Sequence, residues 1–177
     1  MKKFLAAGSA LALIAAPAYA EPEYVTIEME IDVDAPAAET WAKVGGYCDI
    51  GTWFGIPCEI TSGEGGIGTV RSLVGGRVIE VLVGLTDLSY GYTQPAVEGE
   101  HYNLYHGYLE AVPVTDETSK LVYTLMYDVS EVEDPDADVA RRRTQFEGGL
   151  ARMKEIAEAD DEPEAAEAEA AAETESE

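Results

Sequence analysis

The chain has 177 residues, with 35 acidic side chains against 11 basic ones and a formal net charge of −24. A body this acidic repels phosphate backbones and anionic lipid surfaces, so nucleic acid is excluded as an expected partner. Two cysteines and two histidines leave little material for a metal centre, and no Cys/His/carboxylate spacing fits one.

The first twenty residues stand apart. Lys2-Lys3, the apolar run from Phe4 to Ala16, and Ala18-Tyr19-Ala20 read as a signal peptide cut between Ala20 and Glu21. The apolar run is too short to span a bilayer comfortably, and no later stretch is long and apolar enough to do so. The expectation is therefore a periplasmic or secreted protein with no membrane span. At the other end, residues 158–177 hold ten acids and no base, rich in Glu and Ala and broken by Pro163. They read as an acidic disordered tail. Between them, residues 21–157 make one domain of ordinary size, large enough for a core.

Along that domain, Val25 to Val33 alternates without a fault, apolar at odd and polar at even positions, as a strand with one wet face does. Asp34-Ala35-Pro36 starts a short helix carrying Trp41 and Val44, stopped by Gly45-Gly46. A second short helical piece, Asp49 to Phe54, brings in Trp53. Four strand candidates follow, at 58–62, 69–74, 77–83 and 89–93, then two longer ones at 102–112 and 120–129. Glycine-rich or polar punctuation between most of them argues for a meander rather than βαβ units. Asp134-Pro135 then caps a long amphipathic helix to Ala157, with Val139, Arg143, Phe146, Leu150, Met153 and Ala157 on one stripe. A helix of this length, following these strands, needs a sheet to bury its stripe against. The resulting architecture is α+β, a curved antiparallel sheet around the helix with a cavity between them.

Gly63-Glu64-Gly65-Gly66-Ile67-Gly68 fits the GxGxxG dinucleotide pattern, but strand-like Thr69-Val70-Arg71 follows where that pattern demands a helix. It is a loop between strands, and no cofactor is expected. Gly75-Gly76 reads as a two-residue hairpin turn that sets Arg71 opposite Glu80. Both faces of that hairpin are apolar, leaving two readings of the pair: polar anchors inside the cavity, or a surface ion pair. Tyr90, Tyr92, Tyr102, Tyr105, Tyr108, Tyr123 and Tyr127 all fall in strand candidates, as core aromatics or as cavity walls. His101 and His106, five apart on one candidate strand, face opposite ways and cannot share a metal. Cys48 and Cys58 form either a disulfide, as an exported protein favours, or two buried thiols. Arg141-Arg142-Arg143 reads as a solvated helix face paired with Asp138. Gly148-Gly149, costly inside a helix, implies that something approaches it closely.

The order of elements and several short motifs resemble the START-like, or SRPBCC, polyketide-cyclase/dehydrase superfamily over about residues 25–157. The marks are Ala35-Pro36-Ala37-Ala38-Glu39-Thr40-Trp41, then Trp53, then Gly68 to Leu73 with Arg71, and Glu80 to Leu82 with Asp87. Tyr90-Gly91-Tyr92, Tyr123 and Phe146 to Leu150 complete them. The resemblance implies a helix-grip fold, with seven antiparallel strands around a long C-terminal helix and two short helices after the first strand. It also implies a hydrophobic cavity and turns Arg71 and Glu80 toward it.

Three functions follow as expectations. The favoured one is an exported binder or carrier of a small hydrophobic molecule, lipid- or polyketide-like. Arg71 and Glu80 would be its polar anchors, and Trp53, Tyr90, Tyr92, Tyr105 and Tyr123 its walls. The second is a cyclase or dehydratase using Glu80 as general base. Set directly against Arg71, that carboxylate is largely neutralised, which weakens it as a base. The third is a protein-interaction module using the acidic surface. Neither the ligand's identity nor an oligomeric state is specified by these residues.

Overall fold

The structure, a computed structural model, describes residues 21–159. The expected signal peptide and nearly all of the expected acidic tail lie outside the described residues. The chain runs β1 (Tyr24–Val33), α1 (Ala37–Val44), α2 (Ile50–Phe54), β2 (Cys58–Ser62), β3 (Val70–Leu73), β4 (Val78–Thr86), β5 (Ser89–Thr93), β6 (His106–Pro113), β7 (Ser119–Asp128) and α3 (Pro135–Glu158). One seven-stranded sheet forms in the order β1-β7-β6-β5-β4-β3-β2, antiparallel throughout. From β2 to β7 it is a meander, and β1 closes onto β7. Register shifts between Ile60 and Ser62 and between Leu82 and Gly84 are the irregularities that bend such a sheet.

The concave face follows from two-residue alternation. Ile27, Met29 and Val33 of β1 and Leu121, Tyr123, Leu125 and Tyr127 of β7 are buried, and they meet Phe146, Leu150, Met153 and Ala157 of α3. Asp134 caps α3 by accepting from the Ala137 amide at 3.0 Å, with Pro135 in the first turn. β1 is an edge strand, so alternate carbonyls on its free side need donors. Two long basic side chains of α3 supply them: Arg143 donates to the Glu28 carbonyl at 2.9 Å and Lys154 to the Asp32 carbonyl at 2.6 Å. This explains why a charged residue, Arg143, interrupts the apolar stripe.

Four features differ from the sequence reading. The β3–β4 connection is a four-residue turn rather than a two-residue one, with Val74, Gly75 and Gly76 all at positive φ. The Arg71–Glu80 register is unchanged by it. β6 begins at His106 instead of Tyr102, because Leu104 takes φ 48° and ends any extended run before it. The loop before β6 is held separately: the Asp128 amide donates to the Asn103 carbonyl, and His101 lies between Asp128 and Glu131. The two histidines thus never share a strand. Glu158, expected as the first residue of the tail, is the last residue of α3. Its carboxylate accepts from the Asp34 amide at 2.7 Å and pairs with Lys154.

Candidate functional site

The inner wall of the fold is built on one cross-strand pair. Arg71 of β3 and Glu80 of β4 are opposite in register and point to the concave side, with Arg71 0% and Glu80 3% exposed. Arg71 Nε donates to Glu80 Oε2 at 2.8 Å, and Nη2 lies 2.6 Å from the same oxygen. The guanidinium also donates through Nη1 to the Tyr47 carbonyl, tying the α1–α2 connection to the sheet. Rings cover its faces, with Tyr47 at 4.2 Å, Tyr92 at 4.8 Å and Tyr90 at 5.6 Å from the guanidinium carbon. Burial alone would lower the Arg71 pKa, but Tyr90 and Glu80 outweigh burial and raise it.

Four tyrosines complete this wall. Tyr90 and Tyr92 alternate with Gly91 along β5 and both face inward, as does Tyr123 on β7, and Tyr92 and Tyr123 share a hydroxyl hydrogen bond of 2.8 Å. The Tyr92 ring lies directly over Gly107 of β6, where a Cβ would collide with it. Burial pushes the hydroxyls of Tyr47, Tyr90, Tyr92 and Tyr123 well up, so all four remain protonated donors at physiological pH. Four buried donors, Tyr47 OH, Tyr90 OH, Trp53 Nε1 and Arg71 Nη2, have no hydrogen-bond partner among the described residues.

The outer wall comes from helices. Trp53 of α2 packs edge-on against Tyr123 and beside Phe54, and Phe54 meets Phe146 of α3 at 5.1 Å between centroids. α2 is bracketed by the joined pair Cys48–Cys58, with Cα atoms 5.6 Å apart. Phe54 and Phe146 border a cavity of about 170 Å³. Ile50, Ile56, Leu73, Val74 and Val78 complete its apolar side, and Glu80, Gln94, Tyr92, Tyr105, Arg142 and Gln145 its polar side. A hollow of about 550 Å³ beside β2 and β3 and an apolar dimple of about 250 Å³ around Gly91, Gly107 and Tyr108 lie elsewhere, and neither reaches the ion pair.

Of the seven residues singled out from sequence, Glu80, Tyr92 and Tyr105 line the cavity beside Phe54 and Phe146, whereas Arg71, Trp53, Tyr90 and Tyr123 are buried in the core behind it. Tyr105 reaches it from the loop before β6 rather than from a strand, and burial pushes its hydroxyl up to about 12. Tyr102 and Tyr108 face outward. Sequence reasoning missed Tyr47, Gln94 and Arg142. Gln94 donates to Glu80 Oε1 at 3.3 Å, and its amide bonds to the Tyr105 carbonyl. Arg142, expected on a solvated face, is half-buried with its guanidinium 4.4 Å from the Tyr127 ring and 5.2 Å from that of Tyr105. The signal for Arg142 was its i,i+4 spacing from Asp138, which holds it at 2.8 Å.

A seven-stranded antiparallel sheet gripping a C-terminal helix over a buried polar pair defines the helix-grip class. The chain belongs to the polyketide cyclase / dehydrase and lipid transport family, whose model matches residues 24–158. Among solved structures it is similar to Ara h 8.0201 (19% identity, TM-score 0.60, covering 76% of this chain and 98% of that one). It is also similar to the ZhuI aromatase/cyclase from Streptomyces sp. R1128 (18%, TM-score 0.60, covering 77% and 94%). A Thermobifida fusca protein matches at 25% identity, TM-score 0.55, over 75% of this chain and 92% of that one. No functionally curated protein matches the chain. Among the described residues, no helix is long and apolar enough to cross a membrane.

Proposed function

We propose that this protein is an exported binder or carrier of a small hydrophobic molecule, held between the sheet and the α2–α3 wall. The observation that carries this reading is the cavity bordered by Phe54 and Phe146, which has the Glu80 carboxylate on its polar side and aliphatic side chains on the other. Mostly apolar walls with a few convergent polar groups suit binding.

Catalysis by Glu80 is the weaker reading. A general base needs a carboxylate oxygen free to take a substrate proton. Here Oε2 is bound by two nitrogens of Arg71 and Oε1 already accepts from Gln94.

Native mass spectrometry of gently purified full-length protein tests the proposal. The expected result is a retained small molecule, released chemically unchanged after prolonged incubation with the protein. Conversion of that molecule to a product would favour an enzyme. Protein that carries nothing, and takes up nothing from a panel of hydrophobic compounds, would overturn the binding role.

A further inference from the structure

We infer that the part of the ligand this cavity holds is a compact single ring carrying a hydroxyl, of the size and polarity of a simple phenol. This rests on the binding role proposed above. Volume supplies the size of the part held inside. A cavity of about 150 Å³ lined by aliphatic and aromatic side chains holds benzene, and the space beside Phe54 and Phe146 measures about 170 Å³. One six-membered ring with one or two substituents fills it. The cavity opens to solvent on one side, so a longer molecule would leave its remainder outside.

The shape of the walls supplies the orientation. Phe54, Phe146 and Val78 offer an apolar slot for the ring. Glu80 supplies the polar contact. A carboxylate oxygen accepts two hydrogen bonds. Oε2 has one from Arg71 Nε and a 2.6 Å ion contact with Nη2, whereas Oε1 has one long contact, 3.3 Å from Gln94 Nε2. The side chain is 4% exposed, so this remaining acceptor capacity is buried and faces the cavity. A hydroxyl donor on the ring satisfies it through a charge-assisted bond. Toluene fits the same space but leaves Glu80 Oε1 unmatched.

The test titrates the full-length protein, freed of any retained molecule, with phenol, toluene, 1-naphthol and palmitate by calorimetry. Phenol is expected to bind about tenfold or more tightly than toluene, as a hydrogen bond to a charged group predicts. Palmitate, which carries no ring hydroxyl, should bind more weakly than phenol. Glu80→Gln should reduce phenol binding relative to toluene binding about tenfold, since the charge on the acceptor is lost. Val78→Phe, which fills the slot and leaves the ion pair intact, should abolish binding of both. Equal affinity for phenol and toluene, or phenol binding untouched by Val78→Phe, would overturn the inference. Tight binding of palmitate or 1-naphthol with phenol inert would also overturn it while leaving the binding role standing. Failure of every probe, with nothing retained on purification, would remove both.

Discussion

The Phe54 ring of α2 lies against the bare Cα of Gly149 in α3, while its neighbour Gly148 faces open space. A Cβ on Gly149 would stand 2.6 Å from Phe54 Cε1, and that ring is backed by Trp53 and Phe146. The close approach read from the glycine pair thus holds for Gly149 and fails for Gly148. Each glycine costs the helix about 1 kcal/mol relative to alanine. Gly148→Ala is expected to raise stability by up to about 1 kcal/mol, since nothing opposes the added methyl. Gly149→Ala should gain nothing or lose, because Phe54 must move out of its contact with Phe146. Urea denaturation of the two variants checks this. Equal gains in both would show that Phe54 moves aside freely.

The Cys48–Cys58 bridge closes ten residues around α2. A loop of that length stabilises by about 2–3 kcal/mol, chiefly by restricting the unfolded chain. The double substitution Cys48→Ala, Cys58→Ala should lower stability by that amount while keeping the sheet. It should also loosen Trp53 and Phe54, and so weaken ligand binding. Intact mass under alkylation, with and without reductant, is the direct check: both cysteines should resist labelling until reduced. Free thiols in unreduced protein would contradict the bridge.

Asp138 sets the acid limit of the α3–sheet contact. Burial alone would raise its pKa, but hydrogen bonds from Arg142, Tyr127 and Arg141 outweigh it and hold the carboxyl at about 2 against an ordinary 3.8. A depressed folded-state pKa stabilises fully above the unfolded value and is lost as pH falls through the folded one. The Asp138 contribution should therefore be complete above pH 3.8 and disappear toward pH 2. In Asp138→Asn, the part of the stability loss confined to that window should be absent. Urea midpoints for both proteins across the range decide it, and parallel curves would refute the assignment.

Much of this architecture was legible because local and global signals agree. The alternation of Val25 to Val33 and the stripe Phe146, Leu150, Met153 and Ala157 each state a buried face in sequence. The exchange across the β3–β4 turn was legible too, since pairing Leu73 with Val78 carries Arg71 to Glu80. What stayed hidden depends on backbone breaks and on distant partners. Leu104 at positive φ is an ordinary leucine in sequence, so the pattern places Tyr105 in a strand. Tyr47 and Gln94 matter only through Arg71 and Glu80, 24 and 14 residues away along the chain. Arg142 differs from Arg141 only in the side of α3 it occupies, and Tyr105 and Tyr127 lie beneath it.

The buried ion pair should respond asymmetrically to substitution. Arg71 and Glu80 are both withdrawn from water, and each is balanced chiefly by the other. Removing one partner leaves an uncompensated buried charge and costs about 3–5 kcal/mol. Glu80→Ala is expected to do this most severely, because the Arg71 guanidinium would be left with the Tyr47 carbonyl and the ring faces alone. Arg71→Met should cost less, since Gln94 still donates to Glu80 and the cavity gives that carboxylate room to hydrate. Replacing both, Arg71→Met with Glu80→Leu, should restore much of the loss, as apolar replacements of similar volume do for buried pairs. A double-mutant cycle by urea denaturation measures the coupling. Near-additive losses would mean that water already screens the pair. Strong coupling, with the double substitution regaining stability while phenol binding is lost, would show that Glu80 is kept for the ligand rather than for the fold.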